Sequence, residues 1–190
     1  MSELDTIIRN ANVVTATDKY SADIGIRDGV IQMIGTIGET AENEIDAAGR
    51  MVAPGGVDGH CHLDQPMDDG SIIADDFTSG TISAACGGTT TVIPFACQIK
   101  GKGLRDAVED YHRRADGKAV IDYAFHLIVS DPTPNVLGQE LPALIKDGYS
   151  HFKIYMTYDS LKLNDREILD LLHLARREGA MAMIHAENDD

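Results

Sequence analysis

From Val57 onward the sequence alternates, and that alternation limits the fold more than any other feature. "VDGH" (57–60) reads as a short strand, and the longer runs "TTTVIPFA" (89–96), "AVIDYAFHLIVS" (119–130), "HFKIYMTY" (151–158) and "MAMIHA" (181–186), largely apolar, read as strands too. Between them lie segments of helical character: "DDFTSGTISAACGG", "LRDAVEDYHRRADG", "NVLGQELPALIKDG" and "NDREILDLLHLARREGA". The last is the clearest helix, with Asn164 and Glu167 forming a capping box and Gly179 supplying the stop. Gly138 and Pro142 weaken the third. Strands that are apolar on both faces and separated by helices predict a parallel α/β sheet.

Residues 1–54 have a different rhythm. "TIIRNANVVT" and "ADIGIRDGVIQMIG" are rich in Val and Ile, and Asp28-Gly29 marks a hairpin turn. "APGG" (53–56) breaks the pattern. The expected organisation is a β-rich part over 1–54, followed by an α/β part over 55–190. Five strands could form an open, doubly wound sheet. A complete (β/α)8 barrel needs about 250 residues, so residues 55–190 could supply only its first strands. The stand-alone form would leave open sheet edges and exposed apolar strands, which favours the first portion of a longer barrel.

Charge excludes some partners. Lys and Arg number 16 against 31 Asp and Glu, a net charge of −15. Such a surface repels nucleic-acid phosphates and anionic membranes. No apolar run approaches the roughly 18 residues of a membrane span, and "MSELDTIIRN" lacks the pattern of a secretory signal. Cys61, Cys86 and Cys97 have no zinc-ribbon or disulfide spacing. A cytoplasmic, reduced protein is the expectation.

In parallel α/β folds, chemistry collects at the carboxyl ends of strands. His60 and His62 end the first strand of the α/β part, and side chains two apart in a strand share a face. Two neutral imidazoles so placed can grip one metal ion, while Cys61 points away. Lys153 lies inside an apolar strand, where burial depresses an amine's pKa. A neutral amine can add carbon dioxide and become a carbamate, an anion able to bridge two metals. A lysine that snorkels to solvent is the plainer alternative. His185 ends the fifth strand, and Tyr158 follows Lys153 closely. Asp58 and Asp64 flank the histidine pair, as ligand-orienting groups or as loop solvation. His126 is assigned to the core or to a supporting role. His112, His151 and His173 are assigned to packing or surface.

These segments taken together, "GGVDGHCHLDQP", "ADDFTSGTISAACGGTTTVIPFA", "FKIYMTY" and "MIHAEN", resemble the cyclic amidohydrolases, and most closely the dihydropyrimidinase and hydantoinase branch. The resemblance implies an N-terminal part of a β-sandwich, then a (β/α)8 metal-dependent hydrolase barrel with two divalent metal ions, usually zinc. It implies that His60 and His62 hold the more buried metal, that carboxylated Lys153 bridges both, and that His185 holds the more exposed one. Tyr158 corresponds to the tyrosine that contacts the substrate carbonyl and developing oxyanion. The implied reaction is hydrolysis of a 5,6-dihydropyrimidine or 5-substituted hydantoin, by hydroxide held between the metals, to an N-carbamoyl amino acid. The family adds a histidine from a sixth strand and an aspartate from an eighth, which this sequence lacks. This chain is therefore expected to carry an incomplete site and to be inactive alone, the full-length protein being a homo-oligomer, a tetramer or dimer. Dihydroorotases place an arginine where Asp64 stands, which disfavours a carboxylated substrate. Allantoinase-type hydrolysis and a non-catalytic adaptor related to dihydropyrimidinase are the alternatives; the presence of His60, His62, Lys153 and His185 argues against the adaptor.

Overall fold

The structure is a computed structural model that describes residues 4–67 and 70–189. Its contacts divide the chain into two compact units, Met1–Gly55 and Gly56–Asp190.

The first unit is a single twisted sheet. Strands β1 (Thr6–Val14), β2 (Lys19–Arg27) and β3 (Val30–Gly35) form an antiparallel meander. Asp28 and Gly29 join β2 to β3, and both have positive φ, 50° and 74°. That is the two-residue hairpin geometry the Asp-Gly pair predicts. Strands β4 (Asn43–Asp46) and β5 (Met51–Val52) lie parallel to β1, at its start and its end. A bulge in β1 between Ile8 and Ala11, with Asn10 at φ 53°, inserts one extra residue against β2. The inserted residue reverses the alternation. Ile7 packs with Leu4 and Ile37, whereas Ile8, Ala11 and Val13 pack with Ile24 and Ala47.

The second unit is a parallel sheet whose strands stand in chain order. Strands β6 (Gly56–Cys61), β7 (Thr89–Cys97), β9 (His126–Ile128), β10 (His151–Tyr155) and β11 (Met181–His185) are neighbours in that sequence, and the two-residue β8 (Asp122–Tyr123) also pairs with β7. A doubly wound sheet reverses its strand order at a switch point. Here it never reverses, so the topology is that of a barrel wound in one direction.

Packing agrees with the topology. Helices α1 (Phe77–Cys86), α2 (Leu104–Ala115), α3 (Leu141–Lys146) and α4 (Asp165–Glu178) all contribute to one apolar cluster. From the sheet that cluster takes alternate residues: Val92 and Ala96 of β7, Leu127 of β9, Phe152 and Ile154 of β10. Phe95, Ile128 and Tyr155 form a separate cluster with Met183. Because strand side chains alternate, the helices cover one face only. The other face is the interior of a half-barrel. Leu171, fully buried on α4, belongs to the helix-side core, and Leu171→Ala should lower unfolding stability by about 2–5 kcal/mol, measurable by denaturant titration.

Two segments depart from their expected form. "AVIDYAFHLIVS" is not one strand: it splits into β8 and β9, with Ala124 N–H donating to the Val92 carbonyl at the break. "HFKIYMTY" ends as a strand at Tyr155. Gly138 and Pro142 have a visible effect. Residues Val136–Glu140 form a π-type turn, in which Leu141 N–H reaches back to the Val136 carbonyl. Pro142 offers no N–H for the usual ladder. Helix α4 starts at Asn164, whose side chain accepts from Glu167 N–H while Glu167 returns the bond, and it stops at Gly179, φ 73°. Among the described residues no helix is long and apolar enough to cross a membrane.

Candidate metal centre

The half-barrel interior is organised around two aromatic rings. Phe95, on β7, is fully buried. Its ring centroid lies 4.9 Å from the His60 ring, 5.1 Å from His62 and 5.3 Å from His126. Tyr155, on β10, stacks against His185 at 5.3 Å and lies 5.9 Å from Tyr158. Lys153 Nζ is 5.3 Å from the Phe95 ring and 5.2 Å from the Tyr155 ring. The amine therefore stands between a His60–His62 group and a His185–Tyr158 group. Period-two geometry puts it there: Lys153 and Tyr155 share a face of β10, and Lys153 pairs in register with Met183 on β11, two residues before His185.

Lys153 is 7 % exposed, so its head does not snorkel to solvent. It forms no ion pair with a carboxylate among the described residues. Burial lowers its pKa from the ordinary lysine value. His60 is also pushed down, by burial first and then by the Lys153 and His62 charges. Both effects favour neutral nitrogen.

The imidazoles differ in what holds them. His62 Nδ1 meets Gln65 Oε1 at 2.5 Å. An amide oxygen can only accept, so Nδ1 is the donor in this contact and Nε2 is the nitrogen left for another partner. His185 Nε2 is buried and makes no hydrogen bond. It does lie 2.9 Å from Glu187 Oε2, a close contact that lacks hydrogen-bond alignment. His60 has no such brace, and its ring is 5.9 Å from that of His62. Among the described residues no three His, Cys, Asp or Glu side chains form a metal cage by themselves, so the imidazoles need a further donor. A buried His185 nitrogen without an aligned hydrogen bond, an imidazole braced by Gln65 and a buried amine with no carboxylate beside it among the described residues together fit a metal-binding donor set.

The neighbouring residues sort clearly. Cys61 faces the helix side, packing against the core cluster, and burial raises its thiol to about 11. Asp58 accepts from the His60 backbone N–H at 3.0 Å, so it shapes the strand end and not the ring. Asp64, φ 51°, accepts from Phe77 N–H, and its carbonyl accepts from Arg114. It fastens the loop to α1 and α2. His126 Nε2 donates to the Gly59 carbonyl at 3.0 Å, bracing the strand that carries His60. His112 bonds the Tyr149 hydroxyl at 2.7 Å. Beside the aromatic pair, a cavity of about 480 Å³ is lined by Gln65, Pro66, Met67, Cys97, Tyr155, Tyr158 and Leu161. That is the size of a small-molecule site. Phe95, Tyr155 and Gln65 carried no functional signal in the sequence. Phe95 and Tyr155 look like ordinary strand residues, and Gln65 acts only through a turn.

A one-sided parallel sheet, with imidazoles and a buried lysine at the carboxyl ends of its strands, places this chain in the barrel class that builds its chemistry on that rim. The family follows from sequence. The amidohydrolase family matches residues 51–190, and the N-terminal domain of the urease alpha-subunit matches residues 1–54. The chain belongs to the amidohydrolase family. It is 48% identical over 187 residues to the D-hydantoinase of Geobacillus stearothermophilus, covering 97% of this chain and 39% of that protein. A solved D-hydantoinase superposes with TM-score 0.94 at 43% identity, over 98% of this chain and 41% of that one. Dihydropyrimidinase from Brevibacillus agri NCHU1002 superposes with TM-score 0.89 at 39% identity, over 97% and 40%. The chain thus spans about two fifths of the length of these relatives.

Proposed function

We propose that this chain is the N-terminal portion of a cyclic amidohydrolase that opens a 5,6-dihydropyrimidine or 5-substituted hydantoin ring to an N-carbamoyl amino acid. The observation that carries the proposal is Lys153, a buried amine with no carboxylate partner among the described residues, poised between two imidazole groups. The names of the relatives, D-hydantoinase and dihydropyrimidinase, support the substrate class. In this reading residues 1–54 are part of a β-sandwich. Residues 55–190 are the first five strands of a (β/α)8 barrel, and further strands complete the site and the homo-oligomer. The enzyme works in the cytoplasm on a small uncharged ring.

His60, His62, His185 and Lys153 would hold two divalent metal ions, zinc by preference, with Lys153 as its carbamate. Metal at such a site acts as a Lewis acid, lowering the pKa of water toward neutrality and polarising a carbonyl. The carbamate forms when the neutral Nζ bonds to the carbon of carbon dioxide and releases a proton to solvent. Burial of Lys153 lowers its pKa and so favours the neutral form that this step needs. Gln65 braces His62 through Nδ1. Tyr158 lines the cavity with its ring 5.2 Å from His185. Its hydroxyl would donate to the ring carbonyl oxygen as negative charge develops there. Tyr158→Phe should therefore lower kcat by about 10²–10³ and leave metal content unchanged.

The deciding experiment supplies the complete enzyme with zinc and bicarbonate, and follows opening of dihydrouracil and hydantoin by loss of ring absorbance. Metal- and bicarbonate-dependent turnover is expected. A folded enzyme that takes up no metal and opens neither ring would point to the non-catalytic adaptor.

A further inference from the structure

Strand β10 ends at Tyr155, and the chain then makes a tight turn. Tyr158 occupies it with φ 70°, the left-handed region that bulky side chains avoid. Its carbonyl accepts from Leu161 N–H at 2.8 Å and from Lys162 N–H at 2.7 Å. These bonds close the turn, but they do not explain why a tyrosine tolerates it.

A second segment does. After β11 the chain returns alongside this turn, and one carboxylate meets it twice. Asp189 Oδ1 accepts from Thr157 Oγ1 at 2.7 Å, and Oδ2 accepts from Lys162 Nζ at 2.5 Å. Lys162 reaches Asp159 as well, at 3.0 Å, and Lys100 Nζ donates to the Asp159 carbonyl at 3.0 Å. Hydrogen bonds to an ionised group are shorter and stronger than neutral ones. Asp189 therefore holds the residue before Tyr158 and the residue that closes its turn, bracketing Tyr158 between them. The same short segment carries His185, against which the Tyr158 ring rests.

We propose that Asp189 is a positioning residue: it clamps the Tyr158 turn in its left-handed form and so holds the phenol at the substrate carbonyl. The inference rests on the role assigned to Tyr158 above. It assigns Asp189 no contact with substrate or metal. Without the carboxylate, the backbone at 158 is free to leave the left-handed region, and the hydroxyl leaves its station.

The test is a double-mutant cycle in the complete enzyme. Asp189→Ala is expected to lower kcat by about 10–100-fold, with metal content unchanged. Combined with Tyr158→Phe it should cost nothing more, because the group it positions is already absent. Asp189→Asn keeps one carbonyl acceptor and should retain most of the activity. If the alanine variant does not fold, Asp189→Ser, too short to reach both Thr157 and Lys162, supplies the same cycle. An equal loss in both backgrounds, or no loss beside an impaired Tyr158→Phe enzyme, would overturn the clamp alone. A fully active Tyr158→Phe enzyme would overturn the role of Tyr158, and the clamp with it.

Discussion

Lys153→Met in the complete enzyme is expected to abolish ring opening, by about 10³-fold or more, while the protein stays folded. The magnitude follows from the role proposed for Lys153, which would help to hold the metal ions. A Lewis acid at a reacting carbonyl is worth several kcal/mol, and each 1.36 kcal/mol is tenfold in rate. Methionine nearly matches the lysine stem, so contacts with Phe95 and Tyr155 are kept and no cavity opens. Burying a thioether also costs less than burying an amine. The melting temperature of the metal-free protein should therefore hold or rise while turnover disappears. Loss of function without loss of stability separates a chemical role from a packing role. Metal analysis, with NMR of protein equilibrated in ¹³C-bicarbonate, checks the cause: the wild type should show a carbamate carbon and the variant none. Turnover within tenfold of wild type would remove Lys153 from the mechanism.

The histidine pair makes the second large prediction, through a contrast among three consecutive residues. His60→Asn and His62→Asn should each lower metal content below two ions per chain and reduce turnover by about 10³-fold or more. Cys61→Ala, between them, should leave both near wild type. The thiol faces the helix-side core and remains protonated at neutral pH, its pKa being raised to about 11, so it offers no thiolate to a metal. Inductively coupled plasma analysis of the three variants reads the alternation directly. Metal loss in the Cys61 variant with retention in the other two would mean that the strand presents its opposite face.

Much of this was legible in the sequence, for identifiable reasons. Helix α4 was readable to the residue because its start and stop are local chemistry: a side chain at Asn164, a return bond from Glu167, a left-handed Gly179. The common face of His60 and His62 and the opposite face of Cys61 follow from period two alone. What stayed hidden depends on distant partners. The run 119–130 is largely apolar, and its polar residues Asp122, His126 and Ser130 do not mark Ala124, where pairing with β7 is interrupted. Strand ends of this kind are set by neighbours and not by propensity. The Phe95 and Tyr155 platforms were equally hidden, since an aromatic residue in an apolar run normally signals core. Asp189 was invisible because its role exists only where two strand ends meet.

The order of the strands has a consequence for biosynthesis. Each strand of the half-barrel lies beside one made before it, so the sheet can extend as the polypeptide leaves the ribosome, at about 5–20 residues per second. His60 and His62 emerge early, on the first strand laid down, and stay at an open border of the sheet. Lys153 and His185 follow a hundred residues or so later. Nascent chains therefore expose the His60–His62 pair for seconds before Lys153 and His185 are made, so in the proposed reading cation loading would follow the later strands.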